Sequence, residues 1–189
     1  MLLIDNYDSF TYNIAHIVKE SSMVKLEIAK PGEIDLSLIE VFDRIIFSPG
    51  PDQPRKGNFM EMVLERYDSE KSILGICLGL QAIVLYYGGK LVHLDEVVHG
   101  RTKTVIRNSD RSTILQDIPD RFHAGFYHSW VADTDAIPEC LEITCSSTEG
   151  RVMGVRHREY DIEAVQFHPE SIMTPYGARM FMNWLKPGT

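Results

Sequence analysis

From Ser72 to Tyr87 the chain runs as an apolar strand that turns into a helix across Gly75-Ile76-Cys77-Leu78-Gly79. The short apolar run up to Ile76 reads as a buried parallel strand, and Leu80 to Tyr87 reads as a helix. So tight a junction forces a sharp turn, and a bulky residue on either flank of the cysteine would clash in it. Glycine at 75 and 79 avoids both clashes. The apex then presents a thiol at the carboxyl end of a strand and the N-terminus of a helix. This is the cysteine counterpart of the Gly-x-Ser-x-Gly nucleophile elbow. Backbone N–H groups and the helix dipole at that point favour a thiolate. A free cysteine is by default a small buried hydrophobe, so the rest of the chain has to choose between the two readings.

Around the elbow, strands alternate with helices. Leu2-Leu3-Ile4 reads as a strand ending at Asp5, followed by the polar, capping-rich turn Asn6-Tyr7-Asp8-Ser9 and a helix with Phe10, Ile14, Ile17 and Val18 on one face. Val24–Ala29 and Arg44–Ser48 read as further strands, and a helix over 59–67 has Met60, Val63, Leu64 and Tyr67 at core spacing. This order predicts an open, mostly parallel α/β sheet with helices on both faces and ligands beyond the carboxyl ends of the strands. After Gly88 the pattern changes. Residues 90–94, 102–106, 128–131, 141–145, 152–156 and 162–166 read as strands separated by turns, an antiparallel addition at one edge of the sheet. A last helix is expected over 175–185, with Ala178, Phe181, Trp184 and Leu185 buried.

Two further segments carry chemistry. Ser48-Pro49-Gly50-Pro51-Asp52-Gln53-Pro54 has three prolines and a glycine in seven residues. Such a stiff loop suits an oxyanion hole, whose N–H donors must be fixed before charge develops. Phe167-His168-Pro169-Glu170-Ser171 follows a strand ending at Gln166. In extended chain His168 and Glu170 point the same way. The carboxylate would then hold the imidazole in one tautomer and leave the other ring nitrogen to take a proton from a nucleophile. No third ligand stands at metal spacing from this pair. His16, His93 and His157 read as ordinary surface or core histidines, and Cys140 and Cys145 as structural. A thiol on an elbow, a base with its orienter and a preset loop together imply acyl transfer through a thioester, on an amide, an ester or a peptide.

The bounds agree. At 189 residues one domain, 1–189, is expected, and a net charge of −8 without a basic stripe argues against nucleic acid. No apolar run approaches the roughly 20 residues that span a bilayer. Three cysteines with no CxxC, in a chain whose start reads as a strand rather than a leader, imply free thiols in a reducing cytoplasm.

Taken together, Asp5–Asn13, Ser48–Pro51, Gly75–Gln81, His99-Gly100, Tyr127–Trp130 and Val165–Ser171 resemble the class-I, triad-type glutamine amidotransferases over essentially the whole chain. Within them the opening Asp-Asn-Tyr-Asp-Ser-Phe is most similar to the small subunits of anthranilate synthase and aminodeoxychorismate synthase. The resemblance implies a flavodoxin-like glutaminase fold with Cys77, His168 and Glu170 as triad and the N–H groups of Gly50 and Leu78 as oxyanion hole. It implies glutamine binding by Gly50, Asp52, Leu78, Gln81, Ser129 and Trp130. It further implies no cofactor in this chain, a larger chorismate-using synthase subunit carrying Mg²⁺ as partner, and docking near Asn6, Tyr7, Asp8, Ser9, His99 and Gly100. Asp52 replaces the usual glycine, which would strain the loop if φ is positive there. Leu80 replaces a common histidine, an expected change on the partner-facing surface. Rival readings are the glutaminase of another amidotransferase such as that feeding GMP synthesis, a stand-alone cysteine hydrolase, and a non-catalytic flavodoxin-like binding module.

Overall fold

The structure, a computed structural model, describes residues 1–21 and 24–186. Its strands are β1 (Leu2–Ile4), β2 (Glu27–Ala29), β3 (Arg44–Phe47), β4 (Ser72–Ile76), β5 (Leu91–Arg107), β6 (Arg121–Ala132), β7 (Leu141–Ser147), β8 (Val152–His157) and β9 (Ile162–Val165). The α-helices are α1 (Thr11–Ser21), α2 (Phe59–Tyr67), α3 (Leu78–Tyr86) and α4 (Gly177–Leu185). Among the described residues the strands form one sheet in the order β2-β1-β3-β4-β9-β8-β7-β5-β6. From β2 to β9 neighbouring strands are parallel, and from β9 to β6 they are antiparallel.

The mixed sheet is the expected one, with a correction at its seam. Residues 162–166 read as part of the antiparallel addition, yet β9 pairs parallel with β4 (Gly75 opposite Ala164) and antiparallel with β8. β9 therefore belongs to both halves. Its fully buried pattern is what a central strand covered on both faces requires. Residues 90–94 and 102–106 are not separate strands but the two ends of β5, which carries register shifts after His93 and after His99. Gly100, at φ 62°, supplies the left-handed residue that the second irregularity needs. β6 begins at Arg121, seven residues before the expected start; Phe122, Ala124 and Phe126 alternate inward along it.

Side-chain alternation divides the core into two layers. Leu3, Ile46 and Leu74 face Ile14 and Val18 of α1 and Phe181 and Trp184 of α4. Ala178, expected on the buried face of α4, is exposed. Leu2, Ile4, Ile45, Phe47 and Ile73 face Met60, Val63 and Leu64 of α2 and Leu80, Ile83 and Val84 of α3. Leu80 thus lies in the core, fully buried, and not on a partner-facing surface. No described helix is long and apolar enough to cross a membrane.

One buried carboxyl ties a loop to the sheet centre. Glu163 on β9 accepts the N–H groups of Thr113 (2.7 Å) and Ile114 (2.9 Å), tying the turn that carries buried Ile114, Leu115 and Ile118 to the sheet centre. Burial pushes its carboxyl up to about 7 despite those hydrogen bonds and the nearby Arg156. A carboxyl raised in the folded state keeps a proton that the unfolded chain has released. Its contribution is therefore complete below the unfolded carboxylate pKa and is lost as pH rises through about 7. Denaturant unfolding at pH 5 and pH 8 is expected to show wild type losing stability relative to Glu163→Gln, on the order of 3 kcal/mol at full effect. A constant difference between the two chains would refute the titration.

Candidate active site

The four adjacent parallel strands β1, β3, β4 and β9 deliver their carboxyl ends to one edge, and each hands over to a segment the sequence marks. β4 ends in the elbow. Cys77 sits at φ 52°, ψ −98°, directly before α3, with its N–H donated to Val165 O at 2.8 Å. Such a conformation at a non-glycine residue costs about 1–3 kcal/mol and is sustained by the packing around it. Both flanking glycines are required: a β-carbon at Gly75 would come 2.7 Å from the Gly79 backbone, and one at Gly79 would come 2.8 Å from Phe47 O. As the first residue of α3, Leu78 has an N–H with no intrahelical acceptor. The three free cysteines differ in setting. Cys145 is wholly buried and burial pushes its thiol well up; burial also raises Cys140. Cys77 lines a cleft.

β3 leads into the proline-glycine loop, which β1's following turn anchors. Asn6 N–H donates to Ser48 Oγ (2.9 Å) and its side-chain amide to Ser48 O (3.0 Å). A β-carbon at Gly50 would strike Leu78 Cδ2 and Asn6 O, so the loop lies against both the elbow and the Asn6 turn. Asn6 is buried and engaged in holding this loop. Tyr7 (64% exposed), Ser9 and His99 face solvent, with Asp8 half-buried. Asp52 has φ 61°, the left-handed conformation anticipated from the glycine it replaces.

β9 leads into His168 and Glu170, whose Nδ1 and Oε1 lie 2.6 Å apart with both side chains buried. The segment is stitched to β6: His168 N–H donates to Gly125 O (3.0 Å), Gly125 N–H to Thr174 Oγ1 (3.0 Å), and Thr174 Oγ1 to His168 O (2.6 Å). The imidazole packs edge-on against Tyr127 and Phe10, with ring centres at 4.9 and 5.6 Å. Its Nε2 makes no hydrogen bond of ordinary geometry, while the Cys77 thiol is near enough to couple to it. Burial works against an imidazolium here. The interactions with Cys77, then Glu170, outweigh it and hold His168 well above the usual histidine range. His128 is the reverse case: burial, then repulsion from His168, lowers it to about 4, leaving it neutral.

A cleft of about 220 Å³ opens beside the thiol and the proline-glycine loop, lined by Gly50, Asp52, Cys77, Gln81, His99, Ser129 and Trp130 together with Pro51, Tyr127 and His128, with the His168 ring behind Tyr127. It is sized for an amino acid rather than a folded peptide. Gln81 Nε2 donates to Trp130 O (2.9 Å), while Gln81 Oε1 is buried without a partner. The remaining histidines are as read from sequence: His157 accepts the N–H groups of Glu159 and Tyr160 and stacks on Tyr160, His93 lies against Trp130, and His16 is exposed beside Glu20. Two residues inside the matching segments were given no role by the sequence: Tyr127, which walls the His168 ring, and Gln166, whose amide reaches Cys77 Sγ at 3.5 Å. Their strand positions beside marked residues were the available signal.

Residues 2–187 match the family model described as glutamine amidotransferase class-I. A Haemophilus influenzae protein named provisionally as an anthranilate synthase component II is 38% identical over 185 residues, 98% of this chain and 95% of that protein. Aminodeoxychorismate/anthranilate synthase component 2 of Bacillus subtilis is 35% identical over 188 residues, 98% of this chain and 95% of that protein. A solved Thermoplasma acidophilum protein, named provisionally as one of the subunits of GMP synthase, superposes with a TM-score of 0.83 at 25% identity, over 97% of this chain and 90% of that one.

Proposed function

The chain belongs to the class-I glutamine amidotransferases, and from that premise we propose that it hydrolyses glutamine through a Cys77 thioester and passes the ammonia to a larger, chorismate-using synthase subunit. The observation that carries this reading is an elbow thiol that lines an amino-acid-sized cleft and is backed by a buried His168–Glu170 pair, 2.6 Å apart, whose imidazole couples to it.

Glutamine enters with its ammonium group toward Gln81 Oε1 and the Ser129-Trp130 backbone, and its side-chain amide beside Cys77. Cys77 Sγ attacks the amide carbon as its proton passes to His168 Nε2, and the carbonyl π-electrons move onto oxygen. The N–H groups of Gly50 and Leu78 take the oxyanion; removing one such donor costs about 10²–10³ in rate. Collapse breaks the C–N bond, and His168 returns the proton so that ammonia leaves neutral. Water, deprotonated by His168, then attacks the thioester; the C–S bond breaks and glutamate departs. Glu170 keeps Nδ1 protonated throughout. Ammonia released to water at neutral pH becomes ammonium, a poor nucleophile, so direct delivery to an acceptor site is the useful course. The exposed Tyr7, Ser9 and His99, with Asp8 and Gly100, are the proposed docking face around the mouth. The names of the Haemophilus and Bacillus relatives support chorismate as the acceptor.

The test is ammonia transfer. The chain is mixed with glutamine, Mg²⁺, chorismate and, separately, each candidate synthase partner from its source cell. Glutamine-dependent anthranilate or aminodeoxychorismate, lost with Cys77→Ser and restored by ammonium salt, is the expected result. No glutamine hydrolysis with any partner would defeat the proposal.

A further inference from the structure

The proposed reaction makes no use of Gln166, yet this side chain is fully buried beside the thiol. Its backbone N–H donates to Met153 O (2.9 Å), which continues the β9–β8 ladder one residue past β9 and fixes where the side chain starts. Its Nε2 lies 3.5 Å from Cys77 Sγ, an ordinary N–H···S separation, and its Oε1 lies 3.5 Å from Gln81 Nε2. The orientation of both amides follows from the end of the chain of hydrogen bonds. Trp130 O can only accept, so the Gln81 nitrogen must face it. The second hydrogen of that nitrogen points to Gln166 and must meet an oxygen, which turns the Gln166 N–H₂ toward the sulfur. Donation therefore runs outward from the Gln81 nitrogen, to the Trp130 carbonyl on one side and through the Gln166 amide to the thiol on the other.

We propose that Gln166 is a positioning residue for Cys77: its amide N–H holds Sγ at the floor of the cleft and favours thiolate over thiol. A neutral donor gains more from a charged acceptor than from a neutral one, and the gain is largest out of water. The proposal rests on the reading of Cys77 as nucleophile, but it concerns the thiol itself and can be measured without turnover.

The experiment follows iodoacetamide alkylation of the Cys77 peptide by mass spectrometry across the pH range in which thiols titrate. Wild type is compared with Gln166→Met, which keeps bulk and loses the donor, and with Gln166→Glu, which keeps an oxygen for Gln81 but turns a carboxylate oxygen to the sulfur. In Gln166→Met the titration is expected to move up by about one unit, alkylation at neutral pH to slow about tenfold, and kcat with the synthase partner to fall similarly. Gln166→Glu is expected to shift the titration further, and decides the matter if the methionine variant does not fold. Unchanged thiol titration in a folded variant overturns the inference even where wild type turns over glutamine. A shifted titration supports it even if no synthase partner accepts ammonia, in which case only the proposed function falls.

Discussion

Glutamine-dependent product formation is expected to fall by about 10⁴-fold in Glu170→Gln, while synthesis from ammonium salt by the synthase partner is unchanged. The carboxylate accepts at Oε1 and donates nothing. At 2.6 Å it therefore requires a hydrogen on His168 Nδ1 and leaves the lone pair on Nε2 toward Cys77. Glutamine has the same reach. In one of its two orientations it donates to Nδ1 and forces the hydrogen to Nε2, where the ring cannot accept the thiol proton. In the other it keeps the tautomer but carries no charge. The charge matters because burial alone would depress the imidazole, and it is the coupling to Cys77 and Glu170 that reverses the shift. Removing Glu170's charge lowers the proton affinity of the base, so the residual activity is expected to show its acidic limb at lower pH than wild type. Glutaminase assays with saturating synthase, over a pH series and beside thermal melts showing an intact fold, are the measurement. A loss under tenfold would remove Glu170 from the proposed triad.

The elbow is legible in sequence because its constraint is local: two glycines, a strand's length of apolar residues and a helix-length run are all within one stretch. The His168–Glu170 pair is legible for the same reason, since an i, i+2 spacing about a proline is a local geometry. α2 coincides with its expected span because a capping asparagine at 58 and core spacing at Met60, Val63, Leu64 and Tyr67 agree. What sequence conceals is set by partners distant in the chain. β9 is parallel to β4 and antiparallel to β8 at once, and no periodicity within four buried residues can distinguish those neighbours. β5 continues through two register shifts that interrupt its alternation. Asn6 resembles a surface turn residue until Ser48, 42 positions away, takes up its hydrogen bonds. Leu80 is an elbow-adjacent residue whose burial depends on which face of α3 meets the sheet. Gln166 lies in a marked segment, but nothing local says what its side chain meets, and only the return of β9 beside β4 brings it to the thiol, 89 positions away.

Gly177→Ala is expected to damage folding and the site together, although the residue is outside the cleft. Gly177 opens α4 at an ordinary helical position, so its need for glycine is one of space. A β-carbon there would fall onto the Pro169 carbonyl oxygen and come 2.7 Å from the Pro169 carbonyl carbon. Pro169 is the link between His168 and Glu170, and the backbone around it has no slack. Ser171 N–H and Thr174 Oγ1 both donate to His168 O, Thr174 N–H donates to Ser171 O, and Gly177 N–H donates to Thr174 O. Relief therefore requires either α4 to withdraw, opening the layer that Phe181 and Trp184 fill, or Pro169 to shift and carry the imidazole and carboxylate with it. The first route costs about 1–3 kcal/mol or more as overpacking. The second misplaces a base by a fraction of an ångström to an ångström, which costs on the order of 10² in rate. Thermal melts and glutaminase assays on Gly177→Ala, with Ala178→Ser at the neighbouring exposed position as control, separate the routes: a lowered melting temperature with normal turnover per folded molecule identifies withdrawal of α4, and normal melting with lost turnover identifies displacement of Pro169. A variant that melts and turns over as wild type would mean that the contact between α4 and the His168–Glu170 segment does not constrain the site.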